Sequence, residues 1–240
     1  MRGLLIASRT NKGLVRENNE DSILVKPPKL FVIADGMGGH LGGETASSTA
    51  TAFLSKVDFT GVPEKELLAF LDGCFQNISR KIWQMAQDDV NLQRMGTTLT
   101  AVYLVDDERA CVAHVGDSRI YLLQTNGLKK ITSDHSYVAE LVRNKEITPQ
   151  EAASHQHRNI IMRAVGVEPG VETDLFEFLT VGAKRLLLSS DGLTNMVSEK
   201  EIESILQTLE LPAAADALME RALAAGGTDN ISFIILDLED

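Results

Sequence analysis

Residues 30–44 read LFVIADGMGGHLGGE. An apolar run with the pattern of a buried strand stops at Asp35, and five glycines follow within the next eight residues. Three readings are open. The stretch is an ordinary turn, a glycine loop cradling a nucleotide phosphate, or a strand end whose carboxylate holds a metal ion where main chain must come close.

The same device recurs along the chain. RLLLSSDGL places Asp191 and Gly192 after an apolar run, and ACVAHVGDSR sets Asp117 between two strand-like runs. GGTDNISFIILDL reverses the order, with Asp229 just before a strand, and RENNEDSILV does likewise with Glu20 and Asp21. Singly, each is a turn signal first. Together they set carboxylates at the ends of five apolar strands, where a sheet can aim them at one cleft. Asp106, closing TLTAVYLVD, is a contrast, because its neighbours are merely charged and hairpin-like. Two unit charges ~4 Å apart repel by ~4 kcal/mol at an effective dielectric of ~20. Several such groups therefore need a cation or shared protons. Oxygen-only ligands select hard ions, so Mn²⁺ or Mg²⁺ fits and zinc does not. Glycines beside Asp35 let the Gly36 carbonyl approach an ion. A binuclear site would acidify a bridging water towards a pKa of ~7 and clamp an in-line displacement. It would also draw a phosphate into an acidic protein. Arg16, five residues before Asp21 in GLVRENNED, is a candidate for a two-pronged grip on phosphate oxygens.

Around these positions the chain predicts short strands in GLLIAS, DSILV, KLFVIAD, TLTAVYLV, ACVAHVG, SRIYLLQT, DLFEFL, KRLLLSSD and ISFIILDL. Tight polar links such as Asp106-Asp107-Glu108 and Gly116-Asp117 predict antiparallel hairpins, and the apolar run 231–238 predicts a strand covered on both faces. Apolar residues at Leu67, Leu71, Phe75, Ile78, Ile82 and Met85 step by three and four and predict a helix, with Pro63 in its first turn. Further helices are expected at 44–55, 136–144, 198–208 and 212–225. Many buried strands beside amphipathic helices, without regular alternation, point to a layered α+β sandwich rather than a doubly wound sheet. Residues 136–170 are polar, carry His155 and His157, and are expected to form a partly irregular surface segment.

The 240 residues are 44% hydrophobic, which suits a single domain over 1–240 with a substantial core. A net charge of −11 opposes general binding to nucleic acid or anionic membrane but leaves room for one phosphate in a locally cationic site. Cys74 and Cys111 sit among apolar neighbours as reduced thiols do, and no C-x-x-C pair offers a structural zinc site. MRGLLIAS is too short an apolar segment for a signal peptide, so a soluble, cytoplasmic protein is expected.

In order along the chain, GLVRENNED, FVIADGMGGH, MGTT, HVGDSRIY, SDHS, RNIIMRAVG, LLLSSDGL and GGTDN resemble the motifs of the metal-dependent serine/threonine protein phosphatases, the type-2C or PPM family, in compact bacterial form. The resemblance implies a four-layer α-β-β-α sandwich with two central, mainly antiparallel sheets and Mn²⁺ or Mg²⁺ between them. It implies that Asp35 bridges two metals, with the Gly36 carbonyl on one and Asp191 and Asp229 on the other. Asp21 would hold the second ion largely through waters, Asp117 with Asp191 would serve a third, looser metal, and Arg16 would bind the substrate phosphate. Residues 136–170 correspond to the family's flap. Substrates would be phosphorylated proteins made by a serine/threonine kinase, the kinase itself included. The family usually has aspartate at Asn11, proline at Gln156 and threonine at Met162, and many relatives carry a general-acid histidine where this chain has Met37. His40 is then the candidate for protonating the leaving oxygen.

Three rival readings are weaker. CFQNISR, residues 74–80, fits the C-x5-R spacing of cysteine phosphatases but falls inside a helix pattern with no intervening glycine. GMGGHLGG matches the dinucleotide-binding pattern only loosely and lacks the acidic end of a second parallel strand. A non-catalytic phosphoprotein-binding regulator on the same fold would be expected to lose metal ligands, and the expected aspartates are all present. His114, inside a strand, reads as a satisfied core residue rather than a ligand.

Overall fold

Strand β3 (Leu30–Met37) shows how the layers arise. In this computed structural model, which describes residues 4–38 and 41–238, Leu30, Val32 and Ala34 pack against helices α1 (Gly42–Lys56) and α2 (Leu67–Asp88). Phe31 and Ile33, on the opposite face, join a second cluster with Ile120, Leu122, Leu186, Leu188, Ile234 and Leu236. A strand buried on both faces loses the polar alternation of a surface strand, which accounts for the unbroken apolar run.

One sheet runs β2 (Asp21–Lys26), β3, β5 (Leu99–Leu104), β6 (Arg109–Val115) and β9 (Asp174–Leu179), with the two-residue β4 (Gly96–Thr97) beside β3. The other runs β1 (Leu5–Asn11), β11 (Ile231–Asp237), β10 (Ala183–Ser189), β7 (Arg119–Gln124) and β8 (Gly127–Lys130). All ladders between these strands are antiparallel. Helices α6 (Glu199–Thr208) and α7 (Leu211–Ala224) cover the outer face of the second sheet through Ile202, Leu206, Leu218 and Ala222. The result is the expected four-layer α-β-β-α sandwich. Each fully buried Leu, Ile or Phe in its three clusters contributes roughly 1.5–3 kcal/mol.

The layer between the sheets is apolar in its middle and turns polar at one end. Continuing the inward series by twos takes β3 from Phe31 and Ile33 to Asp35, and β2 from Val25 and Ile23 to Asp21. Likewise β7 leads back to Ser118, β10 on to Ser190, and β11 back to Ser232. Thr98 Oγ1 meets Ser118 Oγ across the two sheets at 2.8 Å. The site lies at this polar end.

His114 belongs to the same layer and is the core residue its sequence context predicts. Its Nδ1 lies 2.8 Å from Thr100 Oγ1 and its Nε2 3.2 Å from the Ser133 carbonyl. That carbonyl only accepts, so Nε2 carries a proton. Burial, then the neighbouring His135, pushes its pKa down to about 4. The unfolded chain therefore binds the proton more tightly, and stability present above about pH 6.5 is lost as pH falls towards 4, by about 3 kcal/mol. Comparing pH-dependent urea unfolding of the native chain and His114→Gln should show a shallower acid limb in the variant. Parallel limbs would remove this role.

Four elements escape sequence reading: β4, β8, the short α4 (Pro149–Ala153) and α5 (Asp191–Thr194). The flap-like segment carries α3 (Tyr137–Arg143), where a helix is expected over 136–144, and α4 besides, and it is joined by the bridges Ser136↔Ile161 and Thr97↔Val165. Among the described residues no helix is long and apolar enough to cross a membrane.

Candidate active site

The register of β2 on β3 sets Asp21 directly opposite Asp35. Like charges at facing positions of a ladder destabilise it, so the pairing must be answered by something other than the two strands. Asp117, in the turn between β6 and β7, Asp191, opening α5, and Asp229, two residues before β11, approach the same place from both sheets. Asp35, Gly36, Asp117, Asp191, Asp229 and Arg16 line one cleft of about 350 Å³. Asp21 is buried behind it, where its Oδ2 accepts from Ser190 Oγ at 2.8 Å and its Oδ1 has no hydrogen-bond partner among the described residues.

The electrostatics follow from that crowding. Burial, then the fields of Asp21, Asp191, Asp117 and Asp229, holds the Asp35 carboxyl well above the usual range. Burial, with Asp191 and Asp229 adding to it, lifts Asp21 to about 7 against the opposing hydroxyls of Ser232 and Ser190. Asp117 also rises to about 7, through burial and then Asp191 and Asp134. Asp191 is raised by burial and Asp229. Buried carboxylates lifted together in this way favour protons or a cation.

The main chain around them is tightly held. Asp35 N–H donates to Thr98 Oγ1 (2.9 Å), and the Asp35 carbonyl accepts from Thr98 N–H (2.8 Å) and Thr97 Oγ1 (3.0 Å). A Cβ on Gly36 would lie 2.1 Å from the Gly43 carbonyl oxygen and 2.6 Å from that of Glu20. Glycine at 36 is thus demanded by the packing of β3 against the start of α1. That reason differs from the one its sequence suggests, room for an ion. Gly192 is equally constrained, since a Cβ there would lie 1.9 Å from the Asn230 carbonyl oxygen.

Arg16 lines the cleft, but its Nη2 donates to Asp229 Oδ2 at 2.8 Å, a pairing its sequence position does not reveal. One donation leaves a five-donor guanidinium with capacity for a phosphate. Its loop is held by Asn230, whose Oδ1 accepts from Glu20 N–H (2.7 Å) while Nδ2 donates to the Lys12 (3.0 Å) and Asn18 (2.8 Å) carbonyls. Sequence reasoning passed over Asn230, although it stands in GGTDN. Asn11, where aspartate is usual, accepts from Gly13 N–H at 2.9 Å, a task its amide oxygen performs as a carboxylate would. His40 lies outside the described residues.

The donor set is oxygen throughout, which suits a hard divalent ion. Among the described residues no three acidic, histidine or cysteine side chains enclose one ion position by themselves. An ion here would therefore need main-chain oxygen or water to complete its shell, as the Gly36 expectation requires. Cys74 is excluded as a nucleophile: it lies within α2, in the helix-facing core, and burial pushes its thiol up to about 11. No parallel ladder exists among the described strands to support a dinucleotide loop.

The protein phosphatase 2C family model matches residues 10–225. The serine/threonine phosphatase stp of Listeria monocytogenes serovar 1/2a is 40% identical over 237 residues, covering 95% of this chain and 94% of that one. The crystal structure of Stp1 from Staphylococcus aureus superposes with a TM-score of 0.93 at 34% identity, covering 99% of this chain and 96% of that one. The catalytic domain of the phosphatase PstP, solved in complex with two manganese ions, does so with a TM-score of 0.87 at 40% identity, covering 98% and 97%.

Proposed function

The chain belongs to the protein phosphatase 2C family, and from that premise we propose that it hydrolyses phosphoserine and phosphothreonine in proteins at the cleft between its sheets. It is a metal-dependent protein phosphatase; the oxygen-only donor set and the manganese-bound relative support Mn²⁺ or Mg²⁺ as its cofactor. The observation that carries the site is the convergence of Asp35, Asp117, Asp191 and Asp229 on one cleft, with Asp21 buried behind it.

Asp35 would be shared by two ions, with the Gly36 carbonyl on one and Asp191 and Asp229 on the other, and Asp21 would hold the second ion largely through water. Asp117 with Asp191 would serve a looser third. When bound, the ions supply Lewis acidity and acidify a water for in-line attack on phosphorus. Arg16 holds the phosphate oxygens at the mouth of the cleft, where charge spreads as the ester bond to serine or threonine breaks. The proton for the departing oxygen is assigned to His40. The substrates are products of a serine/threonine kinase, including the kinase itself, and the protein acts in the cytoplasm.

Release of inorganic phosphate from a phosphothreonine peptide tests this reading. Turnover should require Mn²⁺ or Mg²⁺ and survive thiol alkylation; metal-independent turnover abolished by alkylation would overturn it. Arg16→Ala should raise KM for the peptide roughly tenfold or more, with a smaller fall in kcat, because it removes a charge-assisted grip. Unchanged steady-state kinetics would strip Arg16 of its role.

A further inference from the structure

Beside the catalytic cleft lies a second cavity of about 670 Å³, running between the flap-like segment and the body of the sandwich. The two share Asp117, Asn159, Asp191 and Asp229, so a substrate in the cleft has direct access to the cavity. Four cations line it, and they fall into two kinds. Arg119 and Lys130 are both committed to the buried Asp134, at 2.8 and 2.5 Å. Arg143 and Arg158 are exposed and have no carboxylate partner among the described residues, in contrast to Arg9, Arg109, Arg163 and Arg221. Arg143 instead donates from Nη1 to the hydroxyl of Ser133 at 3.2 Å, which steadies the guanidinium without neutralising it.

We propose that this cavity is a subsite for a second anionic group on the substrate, an acidic side chain or a second phosphate flanking the scissile phosphorylated residue, with Arg143 as its specificity-determining cation. The cavity carboxylates outside the Asp134 ion pairs, Asp117, Asp191 and Asp229, all belong to the proposed metal cluster. At a net charge of −11 the protein repels acidic peptides at long range, so unpaired guanidinium groups beside the cleft reverse that field where the peptide must lie. A planar guanidinium pairs with carboxylate or phosphate in the same two-pronged geometry, which is why both are admitted. The proposal rests on the phosphatase reading above.

The test compares three phosphothreonine peptides of equal length, flanked by glutamine, by glutamate, or by a second phosphothreonine, with p-nitrophenyl phosphate as a substrate too small to reach the cavity. The manganese-loaded native protein should favour both anionic peptides over the glutamine peptide by roughly tenfold in kcat/KM. Arg143→Glu should erase or invert that preference through KM and leave p-nitrophenyl phosphate within about twofold, and Arg143→Gln should fall between. Preference for only one anionic peptide would identify which source the subsite takes. No preference in the native protein, or equal losses on all four substrates, would overturn the subsite. Failure to hydrolyse even p-nitrophenyl phosphate would overturn the phosphatase reading and the subsite with it.

Discussion

Replacing Asp35 by alanine should lower kcat on a phosphothreonine peptide by on the order of 10³-fold, at least about 4 kcal/mol of transition-state stabilisation. The same change should stabilise the metal-free protein. Asp35 stands opposite Asp21 in the ladder, and burial together with four other carboxylates holds its acid group above the usual range. Removing one such charge relieves repulsion of order 1 kcal/mol, roughly 3 °C in melting temperature for a chain of this size. Loss of turnover coupled to a gain in metal-free stability separates a functional carboxylate from a structural one, whose removal lowers both. Asp35→Asn keeps the shape and should behave likewise, because the amide retains one oxygen but not the charge that holds a divalent ion. Near-native turnover in either variant would dismiss Asp35 as a ligand.

Much of this arrangement is legible in the sequence, and the limits of legibility have physical causes. Runs such as KLFVIAD and ISFIILDL announce strands because burial on both faces leaves nothing polar in them. The aspartates stand out because each interrupts such a run. What the runs cannot carry is register. That Asp21 faces Asp35 depends on how β2 slides along β3, and a slip of one residue would send Asp21 to the helix-facing side. Pairings across hundreds of residues are equally silent: Arg16 with Asp229, and Asn230 with the loop ahead of Asp21, exist only once the ends of the chain meet. The missed β8 is four residues long and mostly polar, so it has no hydrophobic signal to read. Helix α4 did have one, since Thr148 and Glu151 form a capping box whose T-x-x-E spacing is visible in ITPQEAA. Asp191 reads as the end of a strand and also opens a helical turn, because an Asp-Gly signal does not distinguish the two.

Chelating the metal should abolish turnover, with Mn²⁺ restoring it, and should also make stability fall as pH rises. In the metal-free protein Asp21 and Asp117 each titrate near 7, far above an unfolded aspartate. The folded state then binds protons more tightly than the unfolded one. Stability from these groups is fully present below about pH 4 and is lost as pH rises through 7, by a few kcal/mol in all. Divalent ions compete with those protons and hold the cluster deprotonated, so in saturating Mn²⁺ the folded state no longer binds the extra protons and this loss of stability should disappear across the same window. An ion at one hundred times its dissociation constant adds about 2.7 kcal/mol. Thermal melts in EDTA and in Mn²⁺ at pH 5.5 and pH 8 should therefore diverge: the gap between the two curves is small at the acid end and large at the alkaline end. His114 contributes an acid-destabilising slope of opposite sign, but it does so equally in both media and cancels from the gap. A gap that stayed constant with pH would mean that the carboxylates are not what the ions bind, and the assignment of the site would fall with it.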